Sequence, residues 1–244
     1  MYLDRYFEKM EEVLAAIRTT QRKQIERAGE AVAEALAHGG ALLIMDTGHM
    51  LRHEAFVRAG GLIAWTPFSY NLHVENPLDW RSIERTSKES AALEARLVAL
   101  ALDSSKLKRG DILIINSNSG RTTNVVETAL QCGKRGITTI AICSSEQMKK
   151  CDPVHPSGKK LADVADIFID NCTPHGDALV EVRDNEKMCP GSGIASVYVL
   201  WAIQAEAVER LQARGLNPSI YRSVHLGGYA FIEKQKKKFL KKGF

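Results

Sequence analysis

The 244-residue chain has no C-x-x-C pair, and its five cysteines (Cys132, Cys143, Cys151, Cys172 and Cys189) are odd in number and scattered. That argues against a disulfide framework or a zinc ribbon and fits a reducing compartment, the cytoplasm. Long hydrophobic runs are also missing. The longest apolar stretch, around Val197 to Ile203, runs into Gln204 and Glu206 and is far too short for a membrane span. The first residues, MYLDRYFEKMEE, are charged from the start and hold no apolar signal core. No membrane partner is expected. There is no internal repeat and no low-complexity linker.

What is present is ordinary for a folded soluble chain: 45% hydrophobic and 25% charged residues. A chain of this length buries roughly 70% of its unfolded surface and needs no covalent staples. The net charge of +4 is uneven. Glu233 to Phe244 hold six Lys against one Glu, a surplus of five that leaves the rest of the chain at −1. A near-neutral body with a basic end is not a nucleic-acid binder, and no helix-turn-helix precedes residue 41. The run KQKKKFLKK (234–242) reads as a solvated, frayed helix end.

Leu3, Tyr6, Phe7, Met10, Val13, Leu14 and Ile17 follow i, i+3, i+4 spacing, and Ile25, Ala28, Val32, Ala35 and Leu36 form a second, weaker stripe before His38-Gly39-Gly40. From residue 41 the pattern changes. Short apolar runs at 41–46, 61–68, 111–118, 138–143 and 166–170 alternate with helix candidates at about 49–59, 82–102, 122–135 and 191–214. Apolar runs without alternation suit strands buried on both faces, hence a parallel sheet with crossover helices. Residues 177–182 read as one further short strand. The expectation is an α/β three-layer sandwich with a mainly five-stranded parallel sheet, preceded by an N-terminal helical pair. It forms one domain over 1–244: helices at 1–40, a core at 41–214 and a tail at 215–244.

In open α/β sheets ligands sit beyond the carboxyl ends of the strands. The most informative such place follows DILIIN: Ser117, Asn118, Ser119, Gly120, Arg121, Thr122, Thr123, Asn124. A hydroxyl-rich turn between a buried strand and a helix start suits a phosphate. An ordinary helix cap would use one or two such residues. The turn is neither G-x-x-x-x-G-K-[ST] nor G-x-G-x-x-G, which disfavours a nucleoside triphosphate or dinucleotide.

The segment SNSGRTTNVVETA resembles the phosphosugar loop of SIS (sugar isomerase) domains, S-x-S-G-x-[ST] followed by a helix. MDTGHMLRHEAF (45–56) is similar to the S-G-H-x-x-R loop of arabinose-5-phosphate isomerases, with Thr47, Gly48, His49 and Arg52 matching in order. CPGSGIASVYVLWAIQAEAVE (189–209) is similar to the opening of their last long helix, although Gly191, Ser192 and Gly193 replace a hydroxyl-richer stretch. The resemblance spans about 41–214 and is closest to stand-alone sugar isomerase domain-containing proteins. It implies a sugar phosphate held by Ser117, Asn118, Ser119, Gly120, Thr122, Thr47, His49 and, by its place after the next strand, Ser144. It also implies a homodimer or homotetramer with the site completed between subunits.

Three functions follow: an aldose–ketose sugar-phosphate isomerase working through an enediol, a non-catalytic phosphosugar sensor, and an etherase or deaminase on amino-sugar phosphates. The last rests on Gly120-Arg121-Thr122, which also resembles the etherase loop. Isomerisation needs a base to move a proton between C1 and C2 and no redox cofactor. Glu75 and His73, on the loop after the second strand, rank first as that base. Glu181, Glu186 and His225 follow, with Glu75 or His225 able to act in the neighbouring subunit. His49 and His53 lie four apart, but this is not H-E-x-x-H and no third ligand is near, so no metal is expected. Asp46 reads as a cap for the following helix or a partner for sugar oxygens. Trp65 and Trp201 read as core, whereas Trp80 reads as a cover for a sugar face or a subunit contact.

Overall fold

The computed structural model describes residues 1–47, 51–75, 77–78 and 80–244, with Arg52 described without its side chain. The chain begins with α1 (Tyr2–Thr20) and α2 (Arg22–Ala37), then β1 (Leu42–Asp46), a short α3 (Leu51–Ala55) and β2 (Trp65–Pro67). It continues through α4 (Ser87–Ser104), β3 (Ile112–Asn116), α5 (Thr123–Arg135), β4 (Thr138–Cys143), α6 (Ser145–Lys149) and β5 (Ile167–Asp170). A hairpin of β6 (Ala178–Arg183) and β7 (Glu186–Pro190) precedes α7 (Ser192–Ala213), and α8 (Gly228–Lys242) closes the chain. The five strands β2-β1-β3-β4-β5 form one sheet, with every pairing parallel.

Both faces of the sheet are covered, which is why its strands are apolar without alternation. Leu42, Ile44, Ile112, Ile114, Ile140 and Ile142 pack with α2, α3 and α7 through residues such as Val32, Leu36, Leu51, Val199 and Ile203. The intervening Met45, Leu113, Ile115, Ala141 and Cys143 pack with α4 and α5 through Val98, Leu102, Val125 and Ala129. Buried Asp111 locks the sheet's entry: Ala41 N–H donates to its Oδ1 at 2.9 Å and Lys108 N–H to its Oδ2 at 2.8 Å.

The N-terminal pair forms as its stripes predict. Met10, Val13 and Ile17 are buried within the chain, whereas Leu3 (58% exposed) and Phe7 (53%) are not. An apolar end left open on a helix calls for a partner surface. Light scattering at micromolar concentration should therefore give a multiple of 27.0 kDa; a mass at that value would rule out self-association through this end.

Three boundaries differ from the sequence reading. Among the described residues the helix expected at 49–59 is Leu51–Ala55 and stops short of 59, and the strand expected at 61–68 is Trp65–Pro67. Buried Gln204 shapes the approach to β2, its Oε1 accepting from Leu62 N–H (2.8 Å) and Trp65 Nε1–H (3.1 Å). Helix α4 starts at Ser87 rather than 82 because Thr86 and Glu89 form a reciprocal capping box. The further short strand read at 177–182 is present as β6, paired with β7 in a separate antiparallel hairpin.

The basic end is not frayed. Helix α8 runs to Lys242, Phe239 and Phe244 pack on the core, and the Ser219 hydroxyl donates to the Phe244 carbonyl at 3.1 Å. Lys238 Nζ also donates to the Asn217 carbonyl. No described helix is long and apolar enough to cross a membrane.

Candidate functional site

Strand order reverses at β1 and β3: the chain moves from β1 out to β2, then crosses to β3 on the other side of β1. Ligands bind outside the carboxyl ends of strands at such a switch point. A cleft of about 590 Å³ lies there, lined by Thr47 after β1, by Ser117, Asn118, Ser119, Thr122 and Asn124 after β3, and by Gln147, Gly176, Asp177 and Ser192. A larger groove of about 710 Å³ runs along α4 past Leu93, Leu97 and Leu100, but no strand-end residue reaches it.

The turn after β3 is held from behind. Gly120 takes φ +54°, its N–H donates to Ser117 O (3.1 Å), and its carbonyl accepts from Leu161 N–H (2.7 Å). This leaves the start of α5 uncapped. Thr122 is the N-cap but makes no capping bond; its hydroxyl donates instead to Asn124 Oδ1 (2.6 Å), which also accepts from Val125 N–H (2.9 Å). No acidic residue sits in the first turn of α5, and the N–H groups of Thr123 and Asn124 have no acceptor among the described residues. A helix N-terminus in that state is a ready anion site.

Asn118 is fixed from the other side. Asn171 Nδ2–H donates to its Oδ1 at 2.9 Å, Thr173 Oγ1–H to the same atom at 3.3 Å, and its carbonyl accepts from Ser144 N–H. Thr47 is anchored through N–H and Oγ1–H bonds to the Asn116 carbonyl, both 3.0 Å. Asp46, read as a helix cap or a partner for sugar oxygens, accepts from Asn116 Nδ2–H at 2.7 Å.

The structure thus brings together Thr47, Ser117, Asn118, Ser119 and Thr122, with Gly120 beneath them. Ser144 stands apart from the cleft lining. It is buried, its hydroxyl donates to Thr173 O (2.6 Å) and accepts from Gln147 N–H (3.0 Å), and it caps α6. His49 and Gly48 lie outside the described residues, as does the Arg52 side chain. His73 and Glu75 are exposed on the loop between β2 and α4, Glu181 is exposed on β6, Glu186 on β7, and His225 is exposed before α8. None of these lines the cleft of its own chain. Trp65 is buried and Trp201 partly so, while Trp80 is exposed. Among the described residues no group of three His, Cys, Asp or Glu is placed to hold a metal ion.

Sequence reading missed Gln147, Asp177 and Ser192. Gln147 follows Ser144 at N-cap-plus-three spacing after a strand, which is a visible helix-start signal. Its Oε1 accepts from His175 Nδ1 (3.1 Å) and Gly176 N–H (2.8 Å), so it holds the 175–177 turn against α6. Asp177 takes φ +66° after a Gly, a turn signature. The two fully buried thiols offer no nucleophile: burial pushes Cys132 up to about 12 and Cys143 higher still.

Behind the turn, Glu127 on α5 meets His155, with side chains only 12% and 10% exposed and Oε2 to Nε2 at 3.0 Å. Ser157 N–H donates to His155 Nδ1 (3.1 Å), which leaves Nε2–H to donate to Glu127. Burial alone would raise the Glu127 carboxyl. Hydrogen bonds from Gln131 and His155, with the charge of Lys134 and that of His155 once protonated, outweigh it and hold the carboxyl below its usual 4.5. A depressed folded pKa stabilises above the unfolded value and is lost as pH falls through the folded one. Melting temperature should therefore drop more steeply in wild type than in Glu127→Gln as pH falls from about 5 to about 3. Parallel curves would remove Glu127 from the acid response.

These features define an α/β protein with a hydroxyl-lined cleft at the switch point of a doubly covered parallel sheet. The chain matches the SIS domain over residues 5–144 and belongs to that family. It is 32% identical over 250 residues to a UPF0309 protein of Caldanaerobacter subterraneus subsp. tengcongensis, covering 97% of this chain and 98% of that one. A UPF0309 protein of Oceanobacillus iheyensis is 30% identical over 233 residues, covering 93% and 92%. The fold is similar to that of a phosphoheptose isomerase from Neisseria gonorrhoeae, with a TM-score of 0.51 at 15% identity over 86% of this chain and 97% of that one.

Proposed function

We propose that the chain binds a phosphosugar, its phosphate on the N-terminus of α5 and its sugar in the cleft between Thr47 and Gln147. The observation that carries this is the uncapped start of α5. Two N–H groups lack acceptors, and the hydroxyls of Ser117 and Ser119 are engaged by no described residue. Membership of the SIS family and the likeness to a phosphoheptose isomerase support the same reading. Thermal shift against a panel of sugar phosphates tests it, since a ligand at 100 times its Kd stabilises by about 2.7 kcal/mol. No shift with any member would remove it.

Within that reading Ser119→Ala should weaken binding by about 1.5–3 kcal/mol, the worth of a hydrogen bond to a charged group. Thr122→Ala should cost less, about 1 kcal/mol, because its proton is already committed to Asn124. Titration calorimetry measures both; equal, undiminished affinities would place the phosphate elsewhere.

For chemistry we propose an aldose–ketose isomerase whose base, with Glu75 first and His73, Glu181 and His225 behind it, is delivered by a neighbouring subunit of a homodimer or homotetramer. One observation favours the second reading, a sensor: the described cleft holds no histidine, and its single carboxylate already caps a helix. Proton exchange separates the two. An isomerase places solvent deuterium at C1 or C2 of a bound sugar phosphate in D₂O, whereas a sensor binds the same ligand and exchanges nothing.

A further inference from the structure

Two helix N-termini border the cleft, and they are dressed differently. That of α5 is open, as described. That of the 22-residue α7 is closed by a carboxylate from outside the helix. Asp177 Oδ1 accepts from Gly191 N–H (3.2 Å) and Ser192 N–H (2.7 Å), and its Oδ2 accepts from the Ser192 hydroxyl (2.8 Å). The Gly191 N–H also reaches the Asp177 carbonyl, so side chain and backbone together pin this residue at φ +66°. Asp177 and Ser192 both line the cleft, and Asp177 is the one charged side chain among its described lining residues.

We propose that Asp177 is a specificity residue that reads the charge of the sugar end of the ligand. This rests on the phosphate lying at α5. With its anion-attracting end at α5 and a fixed negative charge at α7, the cleft has a direction. The phosphate occupies the first end, and whatever approaches the second meets a carboxylate whose dipole-favoured position costs nothing to hold. Oδ1 is filled by its two N–H donors, whereas Oδ2, which accepts only the Ser192 hydroxyl, keeps acceptor capacity for a sugar hydroxyl or an ammonium group. A second anion there faces like-charge repulsion, and the N–H groups that would relieve it are already taken. The ligand class is therefore a monophosphate of a neutral or amino sugar, and bisphosphates and phosphorylated sugar acids are excluded. Exclusion by an unfavourable contact is how a site with few cationic groups gains selectivity.

The test uses three probes that share a terminal phosphate: glucose 6-phosphate, glucosamine 6-phosphate and 6-phosphogluconate, each titrated into the full-length protein at low ionic strength. The carboxylate probe should bind roughly tenfold or more weaker than the neutral one, and the ammonium probe at least as tightly as the neutral one. In Asp177→Asn, which keeps an acceptor for the α7 N–H groups, the three affinities should converge to within about threefold. Should that variant fail to fold, wild type still decides, because the spread must shrink as salt rises and screens the carboxylate. Equal wild-type affinities, or a spread that persists in Asp177→Asn or in high salt, overturn the inference while leaving the phosphate site standing. Binding of none of the three removes the phosphate site itself, and this inference falls with it.

Discussion

In a Gly120→Val variant, sugar-phosphate binding should disappear from calorimetry and the fold should weaken. Gly120 sits at φ +54°, where a side chain crowds the following carbonyl. A Cβ there would meet Cys143 Sγ at 3.1 Å, Leu161 Cβ at 3.2 Å and Met148 Sδ at 3.4 Å, all buried and belonging to β4, the 161–163 turn and α6. Backbone strain and overpacking together should cost about 2–4 kcal/mol, read as a lower urea midpoint. The loss of binding should exceed what that destabilisation explains. The turn can relieve the clash only by moving Ser119 and Thr122, and misplaced donors no longer converge on one anion. A folded Gly120→Val that still binds with wild-type affinity would show that the turn tolerates displacement and that the phosphate is not held there.

The second large effect is expected far from the cleft, at Gly29. It faces α7, and a Cβ on it would lie 2.6 Å from Glu206 Cβ, 3.2 Å from Ala207 N and closer still to Glu206 Cγ. The Glu206 side chain cannot simply swing away, because its Oε1 accepts from Arg210 Nε at 2.6 Å. Arg210 and Arg214 in turn both bridge to Glu30, and Arg214 to Glu34, so the charged rim of the α2–α7 contact moves with it. Gly29→Val should lower stability by about 2–4 kcal/mol, since the helices must separate. Gly29→Ala should cost less, because alanine recovers roughly 0.5–1 kcal/mol of helix preference. The two variants should order themselves by urea midpoint; a Gly29→Val protein as stable as wild type would mean that α2 shifts freely over α7.

How much of this was legible beforehand depends on distance along the chain. The β3–α5 turn is contiguous, from Ser117 to Asn124, so its chemistry stood in one line of sequence. The start of α4 was set locally, by the Thr86–Glu89 capping box, but the start of β2 had a remote cause. Gln204 fixes the start of β2 from more than a hundred residues away. The lysines of the basic end are exposed or partly exposed, as composition suggests; what composition hides is that Phe239 and Phe244 pack against the core.

The sequence by itself determined a parallel sheet with crossover helices and the hydroxyl-rich turn before α5. A strand buried on both faces must be apolar throughout, and a helix start must declare itself by its neighbours. Only the tertiary structure decided which polar groups share the cleft and which do not. Ser144 and Ser119 look alike at two strand ends, but one hydroxyl is spent capping α6 and the other lines the cleft. Gln147, Asp177 and Ser192 come from three separate segments joined by hydrogen bonds, Gln147 to Gly176 N–H and Asp177 to Ser192 N–H. Convergence of that kind is set by packing between remote elements, and no local pattern encodes it.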